Sequence, residues 1–258
     1  MEHTGYILWI LGILIEFVVV LLLVVRGLWR SLRLFTLYCL WDLINNGVVL
    51  PLGRYSGSSY RDVYLAIVVI DTVFVFAVLT ELTWSVLRPI QAYLPRRAYL
   101  FIALLLALAG VLLWPLTAVG GVARTFALII HVQQLSSLLR ILFFVGLAAC
   151  SNLLSLSWRD RELQVATGLG FYSIVSFAAM LVHTHNSNIL QYSTLNEFVV
   201  ASYLGSLLYW VYSFAQKEAE RREFTPQMQG VLLAMAGVAR EQRLALAQAA
   251  LERQQGKA

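Results

Sequence analysis

Nine consecutive apolar residues, Phe17-Val-Val-Val-Leu-Leu-Leu-Val-Val25, close a longer apolar block that begins at Tyr6 and contains one acid, Glu16. A helix needs about 20 mostly apolar residues to cross a hydrocarbon core about 30 Å thick. Seven stretches reach that scale: Tyr6–Val25, Leu34–Leu52, Val63–Leu87, Ala98–Val119, Phe126–Leu156, Leu163–His183 and Glu197–Phe214. None alternates apolar with polar residues as a barrel strand would, so the spans read as helices. Only 13% of the chain is charged and 60% is hydrophobic. A soluble domain carries about 25% charge, so neither a water-soluble globule nor a disordered chain fits. The predicted fold class is an all-α integral membrane protein with seven transmembrane helices, the N-terminus out, and a C-terminal cytoplasmic amphipathic helix.

The predicted orientation follows from Lys and Arg near the span ends. On the side that holds the C-terminus lie Arg26, Arg30, Arg33, Arg88, Arg96, Arg97, Arg159, Arg161, Lys217, Arg221 and Arg222, eleven in all. The opposite side has three, Arg54, Arg61 and Arg124. The eleven-residue side is therefore expected to be cytoplasmic, and the expected location is a bacterial inner (cytoplasmic) membrane, crossed many times. The net charge of +5 then reflects topology and anionic headgroups rather than nucleic acid. Trp158-Arg-Asp-Arg-Glu162 reads as ordinary anchoring on that side, which leaves Arg140 as the one buried basic residue. The first span reads as a retained helix, because positive charge follows it rather than precedes it. Cys39 and Cys150 fall within spans and read as buried free thiols.

Residues 1–215 form the expected bundle, and residues 216–258 an expected helical tail. Thr225-Pro226 marks a helix start, with Thr as N-cap and Pro at the first position. Met228, Val231, Leu232, Met235, Val238 and Ala239 recur at helical spacing. That stripe suits lipid, the bundle itself, or a cytoplasmic or membrane protein partner reached through residues 225–258.

Ionisable residues within spans are costly and face the bundle interior or a water-filled cavity. At a rise of 1.5 Å per residue, Asp71 lies about 12 Å below the outer surface, and Glu16 and Asp42 about 15 Å. Arg140 comes at about 21 Å and Glu81 at about 27 Å. Arg140 is expected to pair with Asp71 or Asp42, because guanidinium binds carboxylate bidentately. Four acids against one Arg leave excess negative charge, so some acids are neutral or hydrated. Asp42 and Asn45 share a face of the second span, and Gln133, Ser137 and Arg140 a face of the fifth. Asp42, Asn45, Asp71, Gln133, Ser137 and Arg140 are thus the candidate ligand-binding or ion-pair network, and Glu16 and Glu81 the candidate proton carriers. The competing reading is structural, since polar side chains join membrane helices at roughly 0.6 kcal/mol each. On the seventh span Ser202, Ser206, Tyr209 and Ser213 make a polar stripe, and Ala166/Gly170 and Ala201/Gly205 are small-residue pairs suited to close packing.

Known seven-helix chemistries fit poorly. Both lysines, Lys217 and Lys257, lie outside the spans, so no retinal Schiff base forms. No metal site or cofactor is expected. The nearest approach to a ligand pair is His131 with His183 near the outer surface, and no nucleophile or nucleotide motif occurs. The expected function is non-enzymatic: a receptor-like or sensory bundle that binds a small ligand or partner at the interior Asp/Arg cluster and acts through its tail. The alternatives are a transporter or proton-coupled carrier using the intramembrane carboxylates, and a structural subunit of a membrane complex.

Overall fold

The computed structural model describes residues 2–49, 60–87, 98–117, 124–151, 158–185 and 189–216. The helices are α1 (Glu2–Val25), α2 (Arg33–Ile44), α3 (Tyr60–Val86), α4 (Ala98–Leu113), α5 (Arg124–Cys150), α6 (Arg161–His185) and α7 (Ile189–Ala215). No strand occurs among the described residues. Six of the seven, all but α2, are long and apolar enough to cross a membrane. The chain is therefore a multi-pass membrane protein by the character of its helices. α2 has 12 residues and continues through a five-residue wider turn, Asn45–Val49. The expected tail lies outside the described residues except for Gln216.

Gly27 ends α1 in the left-handed region (φ 69°), where a side chain would be strained. A single tight helical turn, Leu28–Arg30, then leads into α2. Six helices close a ring in the order α1, α2, α3, α5, α6, α7 and back to α1. α4 stands outside, against α3 and α5. Its Leu100, Leu104, Leu108 and Leu112 are all more than half exposed. In water such a face would be a liability, whereas in lipid it costs nothing.

The ring is filled by residues at helical three- and four-residue spacing. Val75, Val78, Leu79, Leu82 and Val86 bury one face of α3, and Leu207, Trp210 and Phe214 one face of α7. Phe35 of α2 packs edge-on against Trp210, with ring centres 5.1 Å apart. Threonine hydroxyls at 36, 72, 80, 83 and 167 return to the carbonyl four residues earlier. Their polarity is spent within their own helices.

Close approach at α6 explains two of its glycines. A Cβ on Gly168 would overlap the Trp210 indole, and one on Gly170 would lie 2.6 Å from Phe144 Cβ. The Ala166/Gly170 pair therefore does sit at a tight contact. The Ala201/Gly205 pair does not: Ala201 is exposed, and a Cβ on Gly205 would meet only Phe171, at an ordinary 3.7 Å.

The Arg-bearing ends of α1 and α6 meet the ends of α7 and α3 at one end of the bundle. Arg161 donates to the carbonyls of Ser213 and Gln216 at 2.6 Å each and to Gln164 Oε1 at 3.0 Å. Arg26 donates to the Ala215 carbonyl at 2.5 Å. Two guanidiniums thus close the last turn of α7, where the Ser213 carbonyl also accepts the Gln216 N–H at 3.2 Å. Ser85 of α3 donates to Glu162 at 2.5 Å. Asp160, Arg161 and Glu162 are all buried. This corrects the reading of Arg140 as the one buried basic residue, while Trp158 and Arg159 of the same segment stay exposed. Arg161 and Glu162 are buried because their side chains serve neighbouring helix ends.

Candidate functional site

The interior cluster is built by α1, α2, α3, α5, α6 and α7. Glu16 sits midway along α1 and is 3% exposed. Its Oε1 accepts from Asn46 Nδ2 at 2.7 Å and contacts the Tyr203 hydroxyl of α7. Its Oε2 is buried without a hydrogen-bond partner. The Tyr203 hydroxyl also reaches Asp42 Oδ2, one turn before Asn46, at 2.7 Å. A phenol therefore bridges two carboxyl groups on different helices.

A cleft opens beside this bridge, and Glu16, Asp42, Tyr38, Tyr172, Tyr203 and Trp210 line it. The centre of a water molecule can sweep about 20 Å³ of it. A cavity needs about 10–15 Å³ on that measure to hold one water, so the cleft as it stands takes an occupant of about one or two heavy atoms. Gly168 also lines it. The missing side chain there lets the Trp210 indole seat against α6, where its Nε1 donates to the Gln164 carbonyl at 3.3 Å.

Arg140 corrects the sequence-based expectation. It bonds within its own helix, to the Ser136 carbonyl at 3.3 Å and the Ser136 hydroxyl at 3.4 Å. Its guanidinium lies over the Tyr172 ring, 5.7 Å from the centroid. Among the described residues it has no ion pair with Asp71 or Asp42, although its charge acts on both. The physical reason is helix rotation: α5 turns Arg140 toward α6, and the ring of Tyr172 takes the place expected for a carboxylate.

The other candidates separate. Asn45 is buried, with its Oδ1 unpartnered. Ser137 is buried on the Arg140 face. Gln133 joins α5 to α3 by donating to the Tyr64 hydroxyl at 3.1 Å, away from the cleft lining. Asp71 is half-buried. Glu81 is apart from the cluster and accepts the backbone N–H of Leu34 and of Phe35, each at 2.9 Å. It closes the open N-terminus of α2, which has no side-chain cap of its own.

His131 accepts or donates at Nδ1 to the Thr117 hydroxyl (2.8 Å) and stacks on Trp114. The side chains of His183 and Cys150 lie outside the described residues, while Cys39 is free and buried. No group of three or more metal-ligating side chains comes together among the described residues.

Tyr203 and Tyr172 escaped the sequence reading. The serine stripe of α7 drew attention to neighbouring positions, yet Ser206 donates to the Gly168 carbonyl and Ser202 to that of Val199. The usable signal was the i, i+4, i+7, i+11 face of Tyr203, Leu207, Trp210 and Phe214, which turns inward. The chain matches no protein-family model, no curated protein and no solved structure at a significant level.

Proposed function

We propose that this multi-pass membrane protein is a non-enzymatic, receptor-like or sensory bundle that binds a small cation in the Glu16/Asp42 cleft. In this reading it crosses the membrane seven times with its N-terminus out. Occupancy of the cleft passes along α7 to the Arg26/Arg161 end, from which the tail departs. The observation that carries the reading is Glu16: a carboxylate buried mid-helix, lining a cleft, with one oxygen unpartnered. An uncompensated buried acceptor of that kind is costly, and a donor cation relieves it. Tyr38, Tyr172, Tyr203 and Trp210 line the same cleft, and aromatic rings attract cations. The size of the cleft favours ammonium or methylammonium over larger amines.

Thermal unfolding of the purified protein in detergent tests this. Methylammonium chloride raises Tm at concentrations where sodium chloride does not, since a ligand that binds only the folded state stabilises it. Glu16→Gln removes the increment. Equal shifts with both salts, or an undiminished shift in Glu16→Gln, would reject the reading. Deleting residues 225–258 leaves this shift intact and abolishes the cellular output.

A second reading, a proton-coupled carrier, draws on the connection of Glu16 to Asp42 through Tyr203. Methylammonium flux in proteoliposomes driven by a pH gradient separates carrier from receptor.

A further inference from the structure

We propose that Glu16, Tyr203 and Asp42 hold one excess proton in common between the two carboxyl groups, and that the cleft takes up its cation in exchange for that proton. The first half stands on proton counting. Tyr203 has a single O–H and touches a carboxyl oxygen on each side, Glu16 Oε1 and Asp42 Oδ2. One hydroxyl donates to one acceptor in good geometry. With both acids ionised, the second contact would set a phenol lone pair against a carboxylate. With one acid protonated, both contacts are hydrogen bonds: the acid donates to the phenol oxygen and the phenol donates to the carboxylate.

The two arrangements interconvert by a paired hop. The Glu16 proton moves to the phenol oxygen as the phenolic proton moves to Asp42 Oδ2, and no charge is left on the tyrosine. Asn46 donates to Glu16 in either state, since an amide offers N–H whichever way the proton lies. Of the other groups facing the bridge, Tyr38 and Cys39 on α2 and Tyr172 on α6 are uncharged. Asp71 on α3 and Arg140 on α5 are the other ionisable groups whose fields reach it.

The exchange half rests on the cation-binding reading above. Loss of the proton to solvent ionises the second carboxyl, and arrival of a cation restores the interior charge to its former value. Holding that charge constant avoids the penalty of a second uncompensated ion in low dielectric. The vacant Glu16 Oε2 is the acceptor the incoming N–H finds.

Infrared spectroscopy of the purified, cation-free protein tests the shared proton. The wild type shows a protonated-carboxyl C=O band at neutral pH. Glu16→Gln and Asp42→Asn each remove it, because an amide at either position donates to the phenol and frees the other acid to ionise. A band lost in only one variant means a proton resident on a single acid, and a band lost in neither means no protonated acid in the bridge; both overturn the proposal. Should a variant fail to fold, Tyr203→Phe replaces it. It shifts the band if the phenol is its partner, and an unmoved band refutes the bridge.

Methylammonium titration in weak buffer tests the exchange. About one proton is released per cation bound, and neither Glu16→Gln nor Asp42→Asn releases any. Binding without release overturns the exchange and leaves the cation reading standing. Absence of binding overturns both of those, while the infrared result still decides the shared proton.

Discussion

Glu81 on α3 caps Phe35 on α2: one carboxylate oxygen accepts the Phe35 N–H at 2.9 Å, and the other accepts Leu34 N–H at the same distance. A helix that begins with no side-chain cap of its own is finished by its neighbour. Negative charge at a helix N-terminus also favours the helix dipole. Losing an N-terminal cap costs about 0.5–2 kcal/mol. Glu81→Ala is expected to lower stability by that order, and Glu81→Gln, which keeps one acceptor, by less. Thermal unfolding in detergent reads both. If Glu81 instead carried protons for function, Glu81→Gln would abolish activity at unchanged stability.

The tight seam between α6 and α7 predicts a contrast between two glycines. Gly168→Ala drives a methyl into the Trp210 indole. Overpacking of that kind costs about 1–3 kcal/mol. Gly205→Ala adds a methyl at ordinary contact distance from Phe171. It is expected to be neutral or stabilising, because Ala is the better helix former by about 1 kcal/mol. Equal loss of Tm in both variants would contradict the packing described.

Arg161 and Arg26 both close the end of α7, but in different surroundings. Arg161 is buried and bonds to the Ser213 and Gln216 carbonyls and to Gln164, whereas Arg26 is exposed and bonds to the Ala215 carbonyl. Hydrogen bonds to charged groups are worth about 1.5–3 kcal/mol, and burial removes water as a replacement partner. Arg161→Ala is expected to destabilise by at least that much, and Arg26→Ala by a fraction of it. Arg161→Lys rescues little, since an ammonium cannot present the planar fork that spans two carbonyls. Chemical denaturation in mixed detergent micelles ranks the three.

These residues also mark where sequence reading stops. The apolar run of α1 is unambiguous because lipid demands continuous apolarity, so α1 and the longer helices were legible. So were Glu16, Asp42 and Arg140 as interior residues, because a charge within a span is too costly to leave facing lipid. Which of them meet was not legible. That depends on the rotation of each helix and on the ring order, in which α4 is skipped and α3 joins α5 directly. Arg140 accordingly lies over Tyr172 rather than on Asp71, and Glu81 serves a helix end rather than the cluster. Tyr203 was hidden for another reason: tyrosine is common both at lipid interfaces and in interiors, so its presence in a span carries no penalty that would single it out.

The proposed seven-span topology turns on α2. Together with its wider final turn, the described helix covers residues 33–49, about 25 Å at 1.5 Å per residue. That falls short of a core about 30 Å thick. It crosses only if the segment that follows adds length or if the bilayer thins around it. The partners of α2 favour a crossing. Its N-terminus is capped by Glu81, close to the Arg-bearing end, while Asp42 and Asn46 reach the bridge midway along α1 and α7. An odd number of spans places the chain termini on opposite sides. Epitope tags at the N-terminus and after residue 258, probed by protease in right-side-out spheroplasts, are therefore expected to differ. The N-terminal tag is cleaved and the C-terminal tag protected, as eleven against three basic residues demand. Protection of both would mean that α2 turns back within the membrane, leaving six crossings.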